Sequence, residues 1–200
     1  MTQNLELKHI YKSFGEKNIF TNFNLTIPEA GFMAIMGPSG YGKTTLVNMI
    51  LGIIQPDHGE FLGFGGKEVS VVFQEDRLLE HKNGLDNILF VMGNSSEANK
   101  EAAWELLTRT DLDGDAHKPA REYSGGMRRR LALCRALVTD FDILILDEPF
   151  KGLDAGLKPE IMALVNEKCK GKAVILVTHD IEEARFFNSH IVDISNMPIC

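Results

Sequence analysis

Hydrophobic and polar positions along the chain repeat with two different periods. Phe23, Leu25 and Ile27 alternate with Asn24 and Thr26, the two-residue period of a half-buried strand. With residues 5–9 and 31–36, they make the first forty positions β-rich. The continuous apolar run 143–146 predicts a strand covered on both faces, 68–73 and 173–178 predict further buried strands, and 191–194 predicts a last strand. Between them the spacing turns helical. Residues 46–51 predict a helix ending at Gly52, and Trp104 and Leu107, with Ala103 and Leu106 alongside, mark a helical region over 85–110. Leu131, Cys134, Ala136 and Leu137 give a helix over 125–138 an apolar face, and further helices are expected at 161–168 and 181–187. Turns fall at 55–59 and 63–66, and 111–122 reads as a polar loop.

Strands and helices that alternate in this way predict a mainly parallel α/β sheet. The stretch 76–138, helical throughout, predicts a subdomain inserted into that core. The expected organisation is one domain over 1–200, with a core of 1–75 and 139–200 and a helical subdomain of 76–138.

Two hundred residues with 44% apolar content are ample for a buried core. The net charge of −7 opposes the broad basic surface of a nucleic-acid binder, and the run Arg128, Arg129, Arg130 is too local to change that. Cys134, Cys169 and Cys200 are odd in number and lack metal-type spacing. Cys134 lies in an apolar helical run and reads as a buried thiol of a reducing compartment. The polar N-terminus lacks the apolar stretch of a secretion signal, and no run reaches the roughly 18–20 apolar residues of a membrane helix. A cytosolic protein is expected, with any membrane association made through a partner.

Candidate chemistry concentrates at 37–45, which read Gly-Pro-Ser-Gly-Tyr-Gly-Lys-Thr-Thr. This is a complete phosphate loop between an apolar strand and a helix. Gly37, Gly40 and Gly42 let successive N–H groups turn toward phosphate oxygens. Pro38, Ser39, Tyr41 and Thr45 complete the wall, Lys43 reaches the β- and γ-phosphates, and the Thr44 hydroxyl can ligate Mg²⁺. A bound nucleoside triphosphate is expected. Asp147 and Glu148 follow the strand 143–146: an acid there can hold Mg²⁺, and its neighbour can deprotonate the attacking water. Ser124, Gly125 and Gly126 open a helix and form a second anion-binding turn, one without a lysine of its own. Two such sites for one nucleotide suggest that the second serves a nucleotide held by another chain. His179 follows the strand 173–178, where a sheet edge would meet the γ-phosphate.

In this order, over 5–194, the motifs resemble the ATP-binding subunits of ATP-binding-cassette (ABC) transporters. The resemblance implies an ABC-type P-loop ATPase core with a mainly parallel sheet, an N-terminal antiparallel β subdomain and the inserted helices. It implies that Phe14 stacks on adenine, with Tyr11 as the alternative ring. Gln74 stands at the glutamine loop, which touches Mg²⁺ or the water and links to the membrane partner. Asp147 stands at the Mg²⁺-linked acid, Glu148 at the general base and His179 at the switch histidine. Tyr123, Ser124, Gly125, Gly126 and Met127 stand at the signature, and Asp154, after Gly152 and Leu153, in the loop that crosses to the opposite subunit. Tyr123 and Met127 depart from the family's usual Leu and Gln, and the stretch between Lys43 and Gln74 is shortened. Residues 73–79, 124–130 and 147–150 are similar to importers of nitrate, sulfonate or taurine.

The resemblance further implies ATP and Mg²⁺, a head-to-tail homodimer, integral membrane permease subunits and an extracytoplasmic solute-binding protein. The protein would sit at the cytoplasmic face of the membrane, peripheral through its permease. Leu78, Leu79, Leu85, Ile88 and Leu89 are expected to be core for the most part, or otherwise a groove for a permease helix. Export or lipid extraction is the alternative within transport. A chromosome-maintenance ATPase would need a long coiled coil, a translation cassette a second cassette, and a small-molecule kinase an acceptor pocket and lid.

Overall fold

The computed structural model describes residues 4–196; Met1 and Cys200, at the two ends, lie outside them. Alternating side chains build the first sheet. β1 (Leu5–Phe14) pairs antiparallel with β2 (Lys17–Ile27) and with β4 (His58–Leu62), in the order β2-β1-β4. The predicted alternation holds in β2, where Phe23, Leu25 and Ile27 are buried while Asn24 and Thr26 are exposed.

The continuous apolar runs form the second sheet. β3 (Gly31–Met36) lies between β7 (Ala173–Val177) and β8 (His190–Asp193), and β6 (Ile143–Asp147) flanks β7, all parallel. Every residue of β6 and β7 is buried, as expected of strands with both faces covered. The register aligns Ile35 with Val177 and Asp147 with Val177, so the chain leaves β3, β6 and β7 at one edge. α1 (Lys43–Ile50) follows β3 and buries Leu46, Val47, Met49 and Ile50. α6 (Ile181–Phe186) follows β7, and Phe187 just beyond it stacks on Phe32 with ring centroids 4.3 Å apart.

The first sheet and strands β3, β6, β7 and β8 belong to one compact unit, Met1–Val69 with Asp142–Asp147 and Lys170–Cys200. A second unit comprises Ser70–Phe141 and Glu148–Cys169. β5 (Val69–Val72) runs across the boundary. The expected helical stretch 76–138 falls within the second unit, which also takes 148–169.

In the second unit the predicted helix 85–110 is two helices, α2 (Gly84–Val91) and α3 (Glu97–Arg109). Gly93, at a φ of 75°, ends the first, and the Ser96 hydroxyl accepts from Asn99 N to start the second. The loop 111–122 is less open than its polarity predicts, because two short 3₁₀ turns bury Leu112, Ala116 and Ala120. α4 (Gly125–Leu137) and α5 (Lys158–Lys168) complete the unit. Asn87, fully buried on α2, pins the preceding loop: its Oδ1 accepts from Leu79 N, and its Nδ2 donates to the carbonyls of Leu79, Lys82 and Asn83. Ile88, Leu89 and Leu78 are core, whereas Phe90 is 65% exposed. Among the described residues, no helix is long and apolar enough to cross a membrane.

Candidate nucleotide site

The phosphate loop leaves β3 at the edge where β6 and β7 also end. Its tight path depends on two glycines. A Cβ on Gly42, at a φ of 90°, would meet Ile19 Cγ2 at 2.6 Å, and one on Gly37 would meet Ile194 Cγ1 at 2.9 Å. Only glycine therefore lets the backbone turn its N–H groups inward so close to these side chains. Gly42 caps α1 without a side-chain hydrogen bond, leaving the helix's first turn without a side-chain cap. Lys43 is 8% exposed, and its Nζ donates to the carbonyls of Gly37 at 2.6 Å and Pro38 at 2.8 Å. Pro38, Ser39, Gly40 and Thr44 are exposed, and Tyr41 and Thr45 are half-buried. This cradle fits a triphosphate. The Thr44 hydroxyl and the carboxylate of Asp147, both hard oxygen donors, fit Mg²⁺.

Asp147 closes β6, 4% exposed. Beyond β7, Thr178 donates its hydroxyl to Glu183 Oε2 at 2.5 Å and accepts from Asp180 N, fixing the turn that presents the exposed His179. Lysine, acid and histidine thus follow three neighbouring parallel strands, at the carboxyl ends where open α/β sheets bind ligands.

Phe14 ends β1 half exposed, with Lys12 Nζ 5.3 Å from its ring centroid. Tyr11 is 38% exposed and meets His58 edge-on. Sequence reasoning missed Asp57, which lies in a turn already recognised. One of its oxygens accepts from Lys12 Nζ at 2.8 Å; the other accepts from Ser13 N and Oγ at 2.7 and 2.8 Å. Bonds from Lys12, then Ser13, hold its carboxyl down at about 2.

In the second unit, Gln74 is exposed on the loop after β5. Ser124 caps α4, its hydroxyl accepting from Met127 N at 3.3 Å. Gly125 is exposed, and a Cβ there would meet nothing within 4 Å. Gly126 lies against the Gly152 carbonyl, 3.3 Å from where its Cβ would stand. Tyr123, expected at the nucleotide, turns its side chain inward. It is 5% exposed and donates its hydroxyl to the Asp115 carbonyl at 2.8 Å, and burial raises its phenol to about 12. Glu148 has a φ of 49°, and its carboxylate meets Lys151 Nζ at 2.8 Å. Asp154 is exposed and accepts from Gly156 N.

A glycine-built cradle with a lysine, an acid at the end of β6, one strand removed from β3 in the same parallel sheet, and α1 opening onto the loop define a P-loop nucleoside triphosphatase. The profile of the ABC transporter family matches residues 20–151, and the chain belongs to that family. It is an ABC ATPase that binds ATP with Mg²⁺. The taurine import ATP-binding protein TauB of Escherichia coli (strain K12) is 36% identical to it over 205 residues, 97% of this chain and 80% of its own length. TauB of Shigella dysenteriae serotype 1 is 36% identical over 203 residues, 96% of this chain and 80% of its own. The fold is similar to that of MJ0796, a bacterial ABC transporter cassette solved as a dimer, with a TM-score of 0.84 and 30% identity over 95% of this chain and 94% of that one. The dimeric post-hydrolysis state of MJ0796, bound to ADP and Pi, also gives 0.84, with 31% identity over 94% and 93%.

Proposed function

We propose that this chain is the ATP-hydrolysing subunit of a solute importer and works as a head-to-tail pair. Each nucleotide is held by the lysine cradle of one copy and closed over by the serine–glycine turn of the other. Lys43 and the backbone of 37–45 hold the phosphates, Phe14 stacks on the base, and Thr44, Gln74 and Asp147 hold Mg²⁺. When bound, that ion offsets charge building on the β- and γ-phosphate oxygens. Glu148 takes a proton from the water whose oxygen bonds to the γ-phosphorus as the bond to the β-phosphate oxygen breaks. His179 donates to the γ-phosphate. Ser124, Gly125, Gly126 and Met127 of the second copy offer backbone and hydroxyl donors to the same charge, and Asp154 lies in the crossing loop.

The observation that carries this reading is the α4 N-terminus. Ser124 and Gly125 are exposed, and the space over Gly125 is open. The dimeric MJ0796 cassettes, at 30–31% identity, support the pairing. The TauB proteins, at 36% identity, support import through membrane permease subunits at the cytoplasmic face, with a solute-binding protein delivering cargo from the other side.

The test uses Glu148→Gln protein with Mg-ATP. It should become dimeric by light scattering, and Ser39→Cys with Ser124→Cys should cross-link between copies only when ATP is present. Monomers under all conditions, including with the permease attached, would overturn the pairing. Failure to co-purify from membranes with any permease would overturn the transport role.

A further inference from the structure

Arg129 lies near the start of α4 with its side chain only 5% exposed, so its guanidinium N–H groups must find acceptors inside the protein. They find them on two segments far along the chain. Nη1 donates to the Phe73 carbonyl at 2.7 Å and to Asp76 Oδ1 at 3.0 Å, while Nη2 donates to the Glu148 carbonyl at 2.6 Å. Phe73 and Asp76 bracket Gln74 and Glu75. Glu148 holds the left-handed φ of 49°, which a residue with a Cβ keeps only when its surroundings enforce it.

We propose that Arg129 is a positioning residue for hydrolysis. It fastens the backbone of Glu148 to the glutamine loop, so that base and loop are oriented together from the helix that Ser124 opens. The planar fork matters here, because a lysine reaches such divergent acceptors one at a time. The bond goes to the Glu148 carbonyl, and the carboxylate meets the 69%-exposed side chain of Lys151 instead. Arg129 therefore acts on the base through the backbone that carries it. The inference rests on Glu148 being the general base proposed above.

The experiment compares steady-state hydrolysis by Arg129→Gln, Arg129→Lys and Asp76→Asn in the full chain, with thermal melts to confirm folding. Arg129→Gln should lower kcat by at least about tenfold, since small misplacements of a reacting group are costly. Its KM for ATP should stay within about twofold, because the phosphate cradle is untouched. Arg129→Lys should recover part of the loss. Asp76→Asn, which removes the charge facing Arg129 and the longer pair with Arg128 but leaves the bonds to the Phe73 and Glu148 carbonyls, should fold and show a smaller drop, and it carries the test should Arg129→Gln not fold. Added to Glu148→Gln, Arg129→Gln should not lower the residual rate further. Folded Arg129→Gln with unchanged kcat, or with KM alone raised, would overturn the inference, as would an undiminished effect in the Glu148→Gln background. Parental turnover in Glu148→Gln alone would instead overturn the assignment of the base, a result separable from the others.

Discussion

The ammonium of Lys43 turns back on its own loop and donates to the Gly37 carbonyl at 2.6 Å. A second bond goes to the Pro38 carbonyl, so two backbone dipoles hold the charge against the loop. A γ-phosphate that displaces either carbonyl therefore meets a preorganised cation. Lys43→Ala should weaken ATP binding by about 1.5–3 kcal/mol, the range for charge-assisted hydrogen bonds. Titration calorimetry with Mg-ATP checks this, and unaltered affinity would show that the backbone cradle suffices.

Removing the proposed base, Glu148, should separate binding from chemistry. Glu148→Gln keeps the size of the side chain but cannot accept the proton, and kcat should fall by roughly 10²–10⁴ while ATP affinity is retained. The Lys151 partner is a different matter. Its side chain is 69% exposed, so Lys151→Ala should change stability by less than about 1 kcal/mol in chemical denaturation.

The candidate site's motifs are legible in the chain because each is short. The phosphate loop, the acids after β6 and the serine–glycine turn each sit within nine consecutive residues or fewer. The strand patterns at Phe23, Leu25 and Ile27 and at 143–146 carried over for the same reason. What failed to show were groups whose partners lie far along the sequence. Arg129 reaches across 56 positions to Phe73, and Lys12 across 45 to Asp57; polarity alone does not distinguish such residues from solvated ones. The break between α2 and α3 was written as Gly93, Asn94 and Ser96, but the apolar period on either side masked it. Tyr123 is the converse case: its position in a motif points to the ligand, while its side chain lies in the interior and donates to the Asp115 carbonyl.

Burial also makes the thiols inert. Desolvation pushes Cys134 and Cys169 each up to about 12, since the thiolate has no water to stabilise it. A maleimide at pH 7 should leave the peptides bearing both residues unmodified in native protein and label them fully in guanidinium. Native labelling of Cys134, read by mass spectrometry, would show that α4 opens on that timescale.

Asp57 gives the clearest pH prediction, because its bonds fix the strand end that carries Phe14. Its carboxyl is held at about 2, below the ordinary 3.8, chiefly by Lys12 and then by Ser13. A depressed carboxylate contributes stability that is complete above its unfolded value and lost as the pH falls through its folded one. The contribution should therefore vanish between about pH 4 and pH 2, and Asp57→Asn should flatten the melting temperature over that window while changing it little with pH near neutrality. The same substitution loosens Ser13 and Lys12, the residues that precede and overlie Phe14. Phe14→Ala should weaken nucleotide affinity by on the order of 1 kcal/mol, the contribution of one stacked ring. Asp57→Asn should reproduce part of that loss at pH 7 while leaving kcat at saturating ATP unchanged. Full affinity in Phe14→Ala would shift the stacking role to Tyr11, and full affinity in Asp57→Asn alone would show that the strand end keeps its place without the clamp.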